Sequence, residues 1–269
     1  MPLTRGVIYT AVGQKWIEQA ILSAKSLKKH SPGIDIAVFT DAPHQIPREY
    51  FNRVIPHGRV ERPEHWKTYD KLLTFTKTPY DHTLGLDADT YVLNDISEIF
   101  DILKHFDMAF CHAHKRKKMH AMDREKKKTS PDIPYAFASL QSGLLLYRKS
   151  DEVIQFFEDW IRTYTKFDLY RDQASLREVL WRTDLKFYVL PPEYNFNRIE
   201  DLKRWAKYGF TEVQPKIFHY TVHRTQNIEK LVRRYYYSQL GWRNLAWTLV
   251  RLRNLLRRLL KNVKNYFKK

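Results

Sequence analysis

Leu84-Gly85-Leu86-Asp87-Ala88-Asp89-Thr90-Tyr91-Val92-Leu93 sets two carboxylates, one residue apart, between two apolar runs. The first run reads as a buried strand with the acidic pair at its C-terminal end. In open α/β sheets, ligands gather at those ends. Mg²⁺ and Mn²⁺ favour oxygen ligands, and few protein carboxylates suffice when a phosphate-bearing substrate fills the remaining positions. Were the strand to continue through the pair, alternation would turn Asp87 and Asp89 to one side, where both meet one ion. A capped surface turn is the competing interpretation, and the apolar flanks on both sides favour the metal site.

The surrounding chain alternates between strand and helix patterns. Residues 6–10 read as a buried strand. Residues 15–29 carry a helical stripe of Trp16, Ile17, Ala20, Ile21, Ala24 and Leu27. Ser31-Pro32-Gly33 ends that helix. Strands are expected at 34–40, 53–55, 82–86, 108–111, 144–147, 187–190 and 216–219. Helices are expected at 66–76, from Asp95 as a cap through Leu103, at 151–164 and from about Asp172. This order predicts an α/β fold around a mostly parallel central sheet flanked by helices. The polar, basic stretch 113–134 reads as a mobile surface loop.

Composition narrows the class. A chain of 269 residues with 43% hydrophobic and 14% aromatic content is ample for a packed core. A single cysteine, Cys111, rules out an internal disulfide framework and suits a reducing compartment. The N-terminus runs directly into a strand, so neither a signal peptide nor a membrane span is expected there. The net charge of +17 implies an anionic partner. Much of it lies at the C-terminus, which carries many Lys and Arg and no acidic residue beyond Leu245.

In that tail Leu245, Leu249, Leu252, Leu256, Leu259, Val263 and Tyr266 recur at spacings of four and three, widened by Leu255 and Leu260. Arg251, Arg253, Arg257, Arg258, Lys261 and Lys264 fill much of the rest. As a helix it spans roughly 37 Å. A basic amphipathic helix suits the surface of an anionic membrane. The missing acidic partners argue against a coiled coil. The chain is therefore divided at 224/225, a domain over 1–224 and a basic helical tail over 225–269, with a cytoplasmic, membrane-peripheral location expected.

The segment 84–96 resembles the metal-binding stretch of GT-A-fold glycosyltransferases, above all glycosyltransferase family 8, which includes glycogenin and bacterial lipopolysaccharide galactosyl- and glucosyltransferases. The likeness extends in order from Gly6 to Arg224. Thr10, Ala11 and Val12 match the end of the first strand, which in that family holds base and ribose. Lys71, in Thr68-Tyr69-Asp70-Lys71-Leu72, matches a basic residue that approaches the donor. Gln141-Ser142-Gly143 stands where the family has Asn-Ser-Gly, Asp172-Gln173 matches its Asp-Gln pair, and Ile217-Phe218-His219-Tyr220 matches its late strand.

By this resemblance Asp87, Asp89 and His219 hold Mn²⁺ or Mg²⁺, while Asp87 also touches the ribose and Ala88 lies against the nucleotide sugar. Ser142 and Gly143 line the donor, and Lys71 and Arg224 face its phosphates. Asp172, Gln173 and Gln141 stand at the donor sugar as the catalytic set. Two departures appear: Gln141 is one methylene longer than the family's Asn, and the lysine that follows the family's late histidine is absent, with His223 and Arg224 nearby instead.

The resemblance implies metal-dependent transfer of a hexose from a nucleotide-diphosphate sugar, with UDP the expected nucleotide. The acceptor is a glycan or lipid-linked molecule, the expectation leans to retention of configuration, and the tail brings the enzyme to the membrane. Two alternatives stand beside it. One is a catalytically silent sugar-nucleotide-binding protein. The other is a nucleic-acid-binding protein, which the charge permits; no nucleic-acid partner is expected, because no binding motif is present and the charge clusters at the tail.

Overall fold

The computed structural model describes residues 3–113, 132–198 and 213–220, together with residues 200, 201, 205, 230, 249, 252 and 253. The chain forms two compact units, one of residues 1–197 with 215–221 and the other of residues 198–214 with 222–269. Most of the second unit, Arg224 and nearly all of the predicted tail helix lie outside the described residues, as does most of the basic stretch 113–134. Among the described residues no helix is long and apolar enough to cross a membrane.

The first unit is built on a seven-stranded sheet. Its strands are β1 (Arg5–Ala11), β2 (Asp35–Thr40), β3 (Arg53–Pro56), β4 (His82–Leu86), β6 (Met108–His112), β7 (Leu140–Arg148) and β8 (Phe187–Leu190), in the order β3-β2-β1-β4-β7-β6-β8. The half running from β3 to β4 is parallel, β7 runs antiparallel to both β4 and β6, and β8 returns parallel to β6. The expected α/β architecture with a mostly parallel sheet is therefore present. A separate antiparallel pair joins β5 (Thr90–Val92) to β9 (Ile217–His219).

Successive residues of β1 face opposite layers, as strand geometry requires. Val7, Tyr9 and Ala11 pack with Ile17, Ala20, Ala24 and Leu27 of α1 (Gln14–His30), and a 3-10 segment, Ser97–Lys104, adds Ile99, Phe100 and Leu103 to that layer. Ile8 belongs to the other layer, formed by α2 (Tyr69–Thr76), α3 (Asp151–Lys166) and α4 (Gln173–Arg182). Phe75, Phe157 and Trp160 form a ring cluster there, with centroids 5.3–6.4 Å apart. Trp160 Nε1 donates 3.1 Å to the carbonyl of Asp172, which ties the start of α4 to α3.

Some local expectations are corrected. Residues 66–68 lie outside any helix, with a turn at 67–68, and α2 begins at Tyr69. The segment after Asp95 is 3-10 rather than α-helical: Asp95 accepts from Ser97 N and Oγ, while Ile96 takes the cap position. The sequence pattern gave no warning of β5, because a three-residue strand is too short to show a period.

Gly85 couples α2 to the strand that leads to the acidic pair. A Cβ at this position would lie 2.6 Å from Phe75 Cε1. Gly85→Ala is therefore expected to overpack the Phe75 ring and destabilise the fold by about 1–3 kcal/mol. Urea denaturation checks this, and an unchanged midpoint would contradict it.

Candidate active site

Asp87 and Asp89 converge through a turn, not through a continuing strand. β4 ends at Leu86, and Thr90 Oγ1 closes the turn by donating 2.9 Å to the carbonyl of Asp87. That donor sits in an ordered chain of hydroxyls. Thr90 Oγ1 gives its proton to a carbonyl, so Ser23 Oγ must donate to Thr90 (2.8 Å), and Tyr9 must donate to Ser23 (2.9 Å). All three side chains are buried. The turn is thus pinned to β1 and α1 from below.

The third member arrives from far along the chain. β9 pairs antiparallel with β5, placing His219 opposite Thr90, and Tyr220 N donates 3.0 Å to the carbonyl of Asp89. His219 Nε2 lies 3.1 Å from Asp89 Oδ1 and 3.7 Å from Asp87 Oδ2. Ligand atoms of Asp87, Asp89 and His219 all fall within 4.8 Å of one another. The sequence-predicted metal set is thereby brought together.

Gly143 makes room for this cluster. The pairing of β6 with β7 shifts register between Phe110 and Cys111, so Phe110 faces Leu145 while Cys111 faces Gln141. The intervening residues of β7 bulge, which is how sheets re-aim groups beside a site. Asp87 N donates 2.9 Å to the carbonyl of Gly143. A Cβ on Gly143 would lie 2.6 Å from His219 Cε1 and 2.8 Å from Asp87 Oδ2. Ser142-Gly143 therefore belongs to the strand, and only glycine fits beneath the cluster.

Lys71, on α2, joins the cluster to a third carboxylate. Its Nζ lies 3.1 Å from Asp87 Oδ1, 3.0 Å from Ser142 Oγ and 3.0 Å from Asp172 Oδ2. Burial alone would push the Lys71 pKa down, but the attractions of Asp172 and Asp87 outweigh it and leave the pKa raised. Lys71 is therefore a half-buried ammonium in an ionic network and not a solvated helix residue. Asp172 occupies the cap position of α4 without a side-chain capping bond, and its carboxylate is turned to Lys71 instead. Gln173 is the first residue of α4 and is half-buried.

The remaining predicted residues sit at the edges of this arrangement. Thr10, at the C-terminal end of β1, hydrogen-bonds Thr74 (2.6 Å), which itself donates to the carbonyl of Lys71. Ala11 and Ala88 are buried and Val12 is half-buried. Gln141 is buried, and its amide engages the carbonyl of His112 (3.0 Å) and Asn195 Nδ2 (2.9 Å).

Two contributors escaped the sequence reading. Asn195 follows the Pro191-Pro192 turn, and its Oδ1 lies 3.0 Å from His219 Nδ1. Asp70, buried beside Lys71 in sequence, pairs with Arg62 and lies 3.7 Å from His57, holding the preceding loop against α2. The sequence offered no signal for the first, an amide after a proline turn. The Asp70 signal was hidden because Asp in the first turn of a helix is ordinary.

The donor chemistry of the cluster fits a hard divalent cation. Asp87 and Asp172 face the Lys71 ammonium and Asp89 lies against His219, so three carboxylates set against one lysine leave two negative charges, the charge that such a cation cancels. His219 tells the same story: burial lowers its pKa, while Asp89 and Asp87 together raise it above the ordinary 6.5. Asp87 is itself raised above 3.8, chiefly by burial, with Lys71 and His219 opposing and Asp89 adding.

Both shifts have the same sign for stability. The metal-free folded state holds protons that the unfolded chain has released. These groups therefore stabilise the fold fully below their ordinary pKa values, and that contribution fades as pH climbs through the raised ones. A bound cation replaces those protons. Mn²⁺ is expected to raise the thermal midpoint more at about pH 8 than at about pH 6, with proton release on binding. Thermal denaturation, and calorimetry in buffers of different ionisation enthalpy, check this; a pH-independent shift would contradict it.

Comparison with known proteins agrees with the geometry. No curated protein matches the chain. A family model described as nucleotide-diphospho-sugar transferase matches residues 66–233, a span running from the turn before α2 past β9. It takes in Lys71, the acidic turn, β7, α4 and His219, which is more than half the chain. On that match, and in keeping with its GT-A-type sheet, the chain belongs to the nucleotide-diphospho-sugar transferase family.

Proposed function

We propose that this protein is a divalent-metal-dependent glycosyltransferase, akin to family 8, that moves a hexose from a UDP-sugar to a glycan or lipid-linked acceptor. The observation that carries the reading is the convergence of Asp87, Asp89 and His219 beside the Lys71–Asp172 pair at the C-terminal end of β4. Asp87, Asp89 and His219 would hold Mn²⁺ or Mg²⁺. When bound, such a cation neutralises the departing diphosphate. Lys71 adds a fixed positive charge at the same edge. Asp172, buried and held by that ammonium, would accept from sugar hydroxyls, with Gln173 beside it. The Thr10–Val12 segment offers the base and ribose a strand end, as in other open α/β sheets. Retention of configuration rests on the resemblance of Asp172-Gln173 to the retaining members of family 8.

In a donor panel of UDP-hexoses, Mn²⁺-dependent turnover is expected. EDTA should abolish it and added Mn²⁺ restore it. Asp89→Ala should lower it by about 10²–10³-fold, and the product should keep the donor's anomeric configuration. Full activity in EDTA would overturn the metal dependence, and UDP binding without turnover of any donor would favour a silent sugar-nucleotide binder.

The tail is proposed to hold the enzyme on an anionic, cytoplasm-facing membrane, with a division of the chain near 224/225. Its apolar and basic periodicity supports this, and so do Leu249 and Leu252, which are helical, 59% and 50% exposed, and next to an exposed Arg253. The full chain is expected to sediment with anionic vesicles at low salt and to be released by high salt. Leu249→Glu with Leu252→Glu should weaken sedimentation several-fold. Equal binding to neutral vesicles would contradict the proposal.

A further inference from the structure

A line of side chains runs from the carbonyl of His112 to His219, and its hydrogen-bond polarity is fixed at one end. The carbonyl of His112, on β6, can only accept, so the Gln141 group 3.0 Å away is its NH₂. Gln141 Oε1 therefore faces Asn195, and the Asn195 atom 2.9 Å away is Nδ2, a donor. Asn195 must then turn Oδ1 toward His219, where it lies 3.0 Å from Nδ1. An acceptor at that distance requires a proton on Nδ1. The opposite assignment of either amide would set two acceptors or two donors against each other. Every member is placed by backbone: Gln141 by the bulge of β7, and Asn195 by the strand-like segment whose Phe196 bonds Ile217 and His219 of β9 at 3.2 and 2.8 Å. Gln141 and Asn195 are 7% and 5% exposed, so water does not compete for these bonds.

We propose that Gln141 and Asn195 are positioning residues for the metal centre, holding His219 in the tautomer with Nδ1 protonated so that Nε2 presents its lone pair toward Asp87 and Asp89. The inference rests on the metal reading above and adds to it the groups that orient the third ligand. Ligating histidines commonly have the other ring nitrogen held in this way, and loss of the partner weakens metal binding by about 10–100-fold. It also accounts for the length of the side chain at 141. An asparagine there, one methylene shorter, cannot hold both the His112 carbonyl and Asn195, so the relay would lose its fixed end.

The test is Mn²⁺ affinity of the full chain, read by electron paramagnetic resonance titration without donor or acceptor. Asn195→Leu should bind Mn²⁺ at least tenfold more weakly than the native protein while keeping its circular dichroism. If Asn195→Leu does not fold, Gln141→Asn carries the measurement, with the same direction expected. The two-bond ¹⁵N–¹H spectrum of the Cd²⁺-loaded protein supplies a readout that simple packing would not move. In the native chain His219 should show a protonated Nδ1 and a ligating Nε2, and in the folded variant that single pattern should be lost. Native protein that binds no Mn²⁺ overturns the metal reading and this inference with it. Native protein that binds Mn²⁺, alongside a folded variant that binds it equally well or keeps the same ring pattern, overturns the inference alone.

Discussion

The ammonium of Lys71 lies between two carboxylates that the chain supplies from distant places, Asp87 after β4 and Asp172 before α4. Its own helix is seated on β4 through Phe75 and Gly85, and α4 is tied to α3 through Trp160. The position of the acidic turn, the entry to α4 and the bulge at Ser142 are therefore all referred to one cation. Such an arrangement is a poor way to gain stability. Removing one partner of a buried ion pair typically costs about 3–5 kcal/mol, yet replacing the whole set by apolar groups of similar volume is often neutral or stabilising. A site that holds one lysine between two carboxylates, with a third against His219, is better understood as a binding arrangement that the fold tolerates.

Geometry around the acidic turn explains why so much of the site was legible in the sequence and some of it was not. Asp87 and Asp89 were visible because an apolar run delivers them to a strand end, and the late strand bearing His219 was visible as a separate apolar run. Their meeting was expected from strand alternation. It arises instead from a turn that brings β5 back against β9, a pairing set by contacts more than a hundred residues apart. The apolar run after the acidic pair was visible, but three residues carry no period that would assign them to a strand of their own. The bulge of β7 was invisible for a related reason: the apolar pattern starts this strand at Leu144, whereas the strand runs from Leu140 through Gln141-Ser142-Gly143. Only the crowding around Gly143 explains why glycine stands there.

Asn195 illustrates a different limit. Nothing in Pro191-Pro192-Glu193-Tyr194-Asn195 distinguishes a structural amide after a turn from one that orients a histidine. The distinction lies in direction, because hydrogen bonds have polarity and a backbone carbonyl fixes it. The same logic runs through Tyr9, Ser23 and Thr90, where the carbonyl of Asp87 sets the sense of the chain. The two relays reach the cluster separately, one through the main chain of Asp87 and the other through the ring of His219.

These relays change what the excess negative charge of the site means. Carboxylates crowded in a buried place ordinarily relieve themselves by taking up protons or by moving apart. Here the turn cannot open without breaking the hydroxyl chain, and His219 cannot swing away without leaving Asn195 Oδ1 without its partner in a buried position, a loss of about 1–3 kcal/mol. The groups are left with protonation or a cation as the two ways to balance their charge. The upward shifts of Asp87 and His219 are the first of these, and a divalent ion is the second. A scaffold that closes off relaxation in this way keeps its ligand atoms where a cation needs them before any cation arrives, so less ordering free energy opposes binding. In that sense Gly143, Ser23 and Asn195, none of which carries charge, are as much part of the site as the acids they hold.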